Sequence, residues 1–264
     1  MPEQTWIVLD LGNTVIKLAY ERVMENICKL ASIKRDELVE LLESAGGYRD
    51  LERGAITFAD FHEFLRGRAG YRGSAADLRQ TWSDFFEGPM PGIEELLDRV
   101  RQRYRVAFLS NSNEVHAEVI SRKYAHLFQD DDRFIFSHRF HCAKPDPELF
   151  RRALEVIGAP PQQAILIDDL IENVLGARSI GMKAYQFHDS FSLLKELERD
   201  GVPYQCLWNW TSASRSEGEN GGCAPTEWNS RGNRYKTKSK LRLAYSSPSR
   251  RNEAPSIWNL VVPR

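Results

Sequence analysis

The chain has 264 residues, enough for one large domain or for a core domain that carries an insertion. Lysine and arginine nearly balance aspartate and glutamate, with a formal net charge of -1, so no global charge points to nucleic acid or an anionic membrane as a partner. No basic segment followed by an apolar stretch opens the sequence and no apolar run approaches a membrane span, which leads to the expectation of a cytoplasmic protein.

The run from Trp6 to Val15, WIVLDLGNTV, reads as a buried strand that ends on a carboxylate and a glycine turn. In open parallel sheets ligands sit beyond the carboxyl ends of the strands, so Asp10 is expected to face a crevice. Apolar residues then recur at helical spacing over Glu21 to Leu30 and Lys34 to Ser44. Thr57 with Asp60 three residues on announces a helix over Phe58 to Leu65, and Leu78 to Phe86 reads as another. Trp82, Phe85 and Phe86 fit either the core of this helical stretch or the wall of a substrate slot. Pro91-Gly92 opens a helix that runs to about Arg103.

Arg105 to Asn111 is an apolar strand that delivers the Ser110 hydroxyl and the Asn111 amide. A helix follows Asn113, Phe134 to Phe136 forms a short strand, and Lys144-Pro145 places an ammonium just before a helix over Glu148 to Ile157. Ala164 to Asp168 is a further strand ending on the pair Asp168-Asp169; Gly176 to Ile180 lies in the next helix, and Lys183 to Phe187 is the strand after it. This alternation is that of an α/β fold with a doubly wound parallel sheet. A carboxylate, a hydroxyl, an ammonium and an acidic pair, in that order, make a phosphoryl-transfer set of nucleophile, phosphate donor, charge clamp and metal site.

Asp10, Ser110, Lys144 and Asp168-Asp169 resemble, in order, the four motifs of the haloacid dehalogenase-like hydrolase superfamily, over about residues 5 to 198. Asp10-Leu11-Gly12-Asn13, Ser110-Asn111, Lys144-Pro145 and Asp168-Asp169 with Asn173 are most similar to its branch of sugar-phosphate phosphatases and epoxide-hydrolase N-terminal phosphatases. The resemblance implies a Rossmann-like core over 1–16 and 88–200 with a small helical cap inserted after the first strand, over 17–87. It implies a magnesium-dependent phosphatase acting on a small phosphorylated metabolite, with a sugar phosphate as the candidate, through an aspartyl-phosphate. Asp10 would be the nucleophile, Ser110 and Lys144 would complete the catalytic set, and Asn111, Gly12 and Asn13 would contact substrate. Asp10, the Gly12 carbonyl and Asp169 would hold Mg2+, Asp168 being a water-mediated or, alternatively, a direct ligand, and Asn173 would stand behind them.

The superfamily's phosphatases generally carry a second aspartate two residues after the nucleophile, as general acid; here that position is Gly12. The loss leaves open a dehalogenase that uses Asp10 on carbon, for which Arg49, Arg53, Arg66 and Arg68 are the candidate halide clamps, and a non-catalytic binding or regulatory member. His62, His116, His126, His138, His141 and His188 show no metal-ligand spacing, although His116 could line the pocket. Cys28, Cys142, Cys206 and Cys223 form no Cys-x-x-Cys pair and are expected as free thiols, with Cys142 a candidate for the pocket border. Residues 201–264, rich in Ser, Gly and Asn and then basic, have no apolar period and are expected to be a disordered tail in which the acceptor sequence at Asn209 is idle.

Overall fold

Successive apolar strands account for the centre of the molecule. The computed structural model describes residues 5–44, 46–199 and 201. In chain order these form β1 (Trp6–Leu9), β2 (Ile16–Leu18), α1 (Tyr20–Leu30), α2 (Arg35–Leu42), α3 (Tyr48–Glu52), α4 (Phe58–Ala69), α5 (Ala75–Ser83), β3 (Phe86–Pro89), α6 (Ile93–Arg101), β4 (Arg105–Ser110), α7 (Glu114–Lys123), β5 (Arg133–Phe136), α8 (Pro147–Ile157), β6 (Ala164–Asp168), α9 (Ile171–Ser179), β7 (Lys183–Gln186) and α10 (Ser190–Arg199). The tail expected over 201–264, with Cys206, Cys223 and Asn209, lies outside the described residues apart from Gly201.

Five strands form one parallel sheet in the order β5-β4-β1-β6-β7. Side chains alternate across it: Ile7, Leu9, Phe108 and Ile167 pack into one core, and Val8, Ala107, Leu109 and Leu166 into the other. Helices α6, α7 and α10 cover the first face, α8 and α9 the second, so both faces are sealed, as a parallel sheet requires. The chain leaves β1 toward β4 on one side and returns to β6 on the other. Ligands bind at such a reversal, beyond the carboxyl ends of the strands.

Between β2 and β3 lie helices α1 to α5. The expected start of α4 is present: Thr57 Oγ1 accepts from the Asp60 amide (3.1 Å) while the Asp60 carboxylate accepts from the Thr57 amide (2.9 Å). Phe61 and Trp82, with ring centroids 5.0 Å apart, centre the packing of this insert. The helix expected over Leu78 to Phe86 ends at Ser83 instead. Phe86 to Pro89 is the strand β3, which pairs antiparallel with β2. Phe85 and Phe86 prolong the aromatic spacing of the helix, but their burial is against α7 and Tyr20 across the ribbon. The boundaries anticipated at 16/17 and 87/88 fall inside these two strands. Among the described residues no helix is long and apolar enough to cross a membrane.

Helix α3 joins the insert to the central sheet. Ser137 Oγ, in the turn after β5, donates to the Glu52 carbonyl (2.5 Å) and accepts from the Ser112 amide (2.9 Å). Gly54 has φ 63°, and a Cβ there would stand 2.2 Å from the His138 carbonyl oxygen, so only glycine allows this approach.

Candidate active site

Asp10 follows β1, its amide donating to the Ile167 carbonyl of β6 (2.8 Å), which fixes the backbone beneath the carboxylate. Lys144 reaches the same point from the loop before α8. Its ammonium donates to Asp10 Oδ1 (2.6 Å), Asp168 Oδ2 (2.6 Å) and the Leu109 carbonyl (2.9 Å), and its side chain is 1% exposed. Two carboxylates hold the ammonium protonated well above the ordinary lysine range despite the burial that opposes charge. Asn111 anchors that loop: its side chain accepts from the Lys144 amide (2.8 Å) and donates to the Lys144 carbonyl (2.9 Å).

Asp168 is completely buried and committed. Oδ2 takes Lys144, while Oδ1 accepts from Asn173 Nδ2 (2.8 Å) and the Leu170 amide (3.0 Å). Asp169 is only half-buried, faces the same cavity, and receives a hydrogen bond from the Asn13 side chain. Burial and the neighbouring Asp168 charge raise its pKa. Burial, with the charges of Asp168 and Asp169, likewise pushes Asp10 up to about 7 against the pull of Lys144. Oxygens of Asp10, Asp168 and Asp169 lie within 4.8 Å of one another. Three carboxylates against one ammonium leave two uncompensated negative charges, the charge of one divalent cation, and hard oxygen donors are what Mg2+ takes. The residues therefore fit the magnesium that the family resemblance implies.

The cavity over these groups measures about 250 Å3, and Leu18, Tyr48, Glu52, Phe85 and Phe86 line it from the side of the β2–β3 ribbon and the helices between its strands. Ser110 ends β4 at its wall, 5% exposed, and is not the cap of α7; Asn113 is, with Oδ1 accepting from the Val115 and His116 amides (3.1 Å each). Gly12 and Asn13 both line the cavity. The strained turn residue is Asn13, at φ 51°, rather than Gly12. A Cβ on Gly12 would meet Leu18 Cδ1 at 2.9 Å, so an aliphatic side chain fills the space next to the position of the missing acid. Gly12→Asp is accordingly expected to lower the melting temperature by overpacking, a cost on the order of 1 kcal/mol, and the double variant with Leu18→Ala to recover it in a thermal scan.

His116 lines the cavity, stacked on Trp82 (5.7 Å, 14°), and burial lowers its pKa to about 3, so the ring is neutral. Cys142 does not reach the cavity; it is half-buried against the second core. The four arginines considered as halide clamps stay outside: Arg49 pairs with Glu43, Arg66 with Glu63, Arg68 lies over Phe64 and Arg53 is exposed. No arginine lines the cavity among the described residues. Tyr48 and Glu52 are pocket residues that the sequence does not advertise, their one signal being an i,i+4 spacing after a glycine pair.

A family model for haloacid dehalogenase-like hydrolases matches residues 5–181. The chain is similar to D-ribitol-5-phosphate phosphatase of Bacteroides thetaiotaomicron, 22% identical over 72% of this chain and 95% of that one. It is also similar to the bifunctional epoxide hydrolase 2 of Rattus norvegicus, 29% identical over 72% of this chain but 37% of that longer enzyme. A solved structure of a family enzyme from Bacteroides thetaiotaomicron, in complex with magnesium and inorganic phosphate, superposes with a TM-score of 0.61 at 27% identity, covering 70% of this chain and 95% of the other.

Proposed function

The chain belongs to the haloacid dehalogenase-like hydrolases, and from that premise we propose that it is a magnesium-dependent phosphatase of a small phosphorylated metabolite. The observation that carries this reading is the buried Lys144 ammonium held between Asp10 and Asp168, beside a third carboxylate, at the floor of a cavity at the strand ends. Relatives that act on small phosphate esters, and a structural neighbour that binds magnesium and phosphate, support it. A cavity of about 250 Å3 suits a metabolite such as a sugar phosphate rather than a polymer. Free thiols at Cys28 and Cys142 suit a reducing, cytoplasmic setting.

Asp10 attacks phosphorus in line; the ester P–O bond breaks, its electron pair leaves with the alcohol oxygen, and an aspartyl-phosphate remains for water to hydrolyse. Ser110 Oγ and the Asn111 amide donate to phosphoryl oxygens. Lys144 holds the Asp10 carboxylate in place and neutralises charge as the phosphoryl group arrives. Mg2+, held by Asp10, Asp169 and the Gly12 carbonyl, would neutralise the repulsion between carboxylates and the phosphate dianion. Asp168, with both oxygens already engaged, serves to fix Lys144, and Asn173 orients it.

A screen of phosphorylated metabolites with and without magnesium tests the reading, together with trapping by beryllium fluoride. Hydrolysis of none, with no trapped complex, would overturn it. Within it, Asp169→Asn is expected to raise the magnesium concentration for half-maximal rate by about 10-fold or more, whereas Asp168→Asn mainly lowers the melting temperature. Equal magnesium requirements in the two variants would overturn the assignment.

A further inference from the structure

The cavity holds six ionisable side chains: Asp10, Tyr48, Glu52, His116, Lys144 and Asp169. Asp10 is the nucleophile of the proposed reaction, Lys144 is pinned by its carboxylates, and Asp169 is a proposed magnesium ligand. His116 is neutral and stays so until strongly acid pH, and burial drives the Tyr48 hydroxyl well above its usual range. Glu52 remains. Its backbone is tied to the loop after β4 through Ser137, its carboxyl receives the hydrogen bond of Tyr48 one helical turn earlier, and Lys144 is within electrostatic reach. We propose that Glu52, supplied by helix α3 of the insert, is the general acid and base of the reaction in place of the aspartate missing at Gly12.

The proposal rests on the phosphatase reading. In the first half-reaction the Glu52 O–H bond breaks and its proton goes to the leaving alcohol oxygen as Asp10 takes the phosphoryl group. In the second, the Glu52 carboxylate removes a proton from the water that attacks phosphorus, freeing Asp10 and phosphate and restoring the acid. Burial pushes the Glu52 carboxyl up to about 7, aided by Glu43 and opposed by the Tyr48 hydroxyl, Lys144 and Arg49. His138, in the turn packed on α3, is held at about 4 by burial and adds no charge near neutrality. An acid with a pKa close to the working pH is both protonated often enough to donate and acidic enough to transfer.

The experiment compares kcat/KM for an alkyl phosphate and for 2,4-dinitrophenyl phosphate, which needs no proton on departure, in the magnesium-loaded wild-type protein and in Glu52→Gln. The expected result is a loss of about 10²-fold or more on the alkyl ester with a change of less than about threefold on the dinitrophenyl ester. The alkaline limb of the alkyl profile near pH 7 should disappear in the same variant. Equal losses on both esters would assign Glu52 to binding or structure and overturn the proposal; no loss on either overturns it too. Should Glu52→Gln not fold, Tyr48→Phe decides: removing a donor that favours the ionised form raises the Glu52 pKa, so the alkaline limb should move to higher pH, and an unmoved limb overturns the proposal. If the wild-type protein hydrolyses neither ester and traps no beryllium fluoride, the phosphatase reading falls and this assignment with it. Wild-type turnover with an indifferent Glu52→Gln removes this assignment alone.

Discussion

Asp10→Asn is expected to lower kcat on the order of 10⁴-fold or more while leaving the fold intact. The amide has the shape of the carboxylate but cannot form the bond to phosphorus. Asp10 sits in a buried site with two uncompensated negative charges, and burial already raises its pKa to about 7. A group whose folded pKa is raised contributes stability that is complete below its unfolded value, near 4, and lost as pH rises through about 7. Metal-free wild-type protein should therefore weaken across that window, and Asp10→Asn should weaken less. Thermal scans at pH 5 and pH 8 check this. A variant that melts well below wild type at pH 8 would mean that its inactivity reports unfolding rather than a lost nucleophile.

Lys144→Met carries the second large effect. The ammonium makes three hydrogen bonds inside the protein, two of them to buried carboxylates, and methionine satisfies none. Removing one partner of a buried ionic cluster typically costs about 3–5 kcal/mol, because the charges left behind have neither water nor counter-ion. Lys144 is also what lowers the Asp10 pKa, so without it that pKa rises further and the penalty grows from pH 5 to pH 8. Chemical denaturation at the two pH values measures it, and turnover should be lost at both. A penalty that is the same at pH 5 and pH 8 would show that packing, not charge, sets the role of Lys144.

The parts of the site visible in the sequence are those built on buried strands. Trp6 to Asp10, Arg105 to Ser110 and Ala164 to Asp168 are apolar runs that end on polar residues, and in a sheet sealed on both faces such ends stand out. The parallel sheet and most helices follow from the same periodicity, whereas the family is legible only in the order of Asp10, Ser110, Lys144 and Asp168-Asp169. What escapes the sequence comes from tertiary context. Helix α3 is five residues long and has too little periodicity to stand out, yet it brings Tyr48 and Glu52 to the cavity. Strand β3 is hidden by Phe85 and Phe86, which continue a helical rhythm although the chain has turned into a ribbon with β2. The occupation of the space beside Gly12 by Leu18 depends on that ribbon and on no local pattern.

The contact of Gly54 with the His138 carbonyl bears on how far this enzyme can be taken apart and recombined. Helical inserts look like interchangeable modules, joined to their sheet by two chain crossings at β2 and β3. Here a third junction exists: a backbone approach that tolerates no Cβ, beside the hydroxyl of Ser137 that spans the Ser112 amide and the Glu52 carbonyl. A chimera that grafts a foreign insert between residues 18 and 86 would keep a core turn at 137–139 shaped for Gly54. It would thereby misplace whatever residue it offers at the Glu52 position. Exchange of specificity between relatives should then succeed only when the insert and the turn after β5 travel together, although more than fifty residues of sequence separate them.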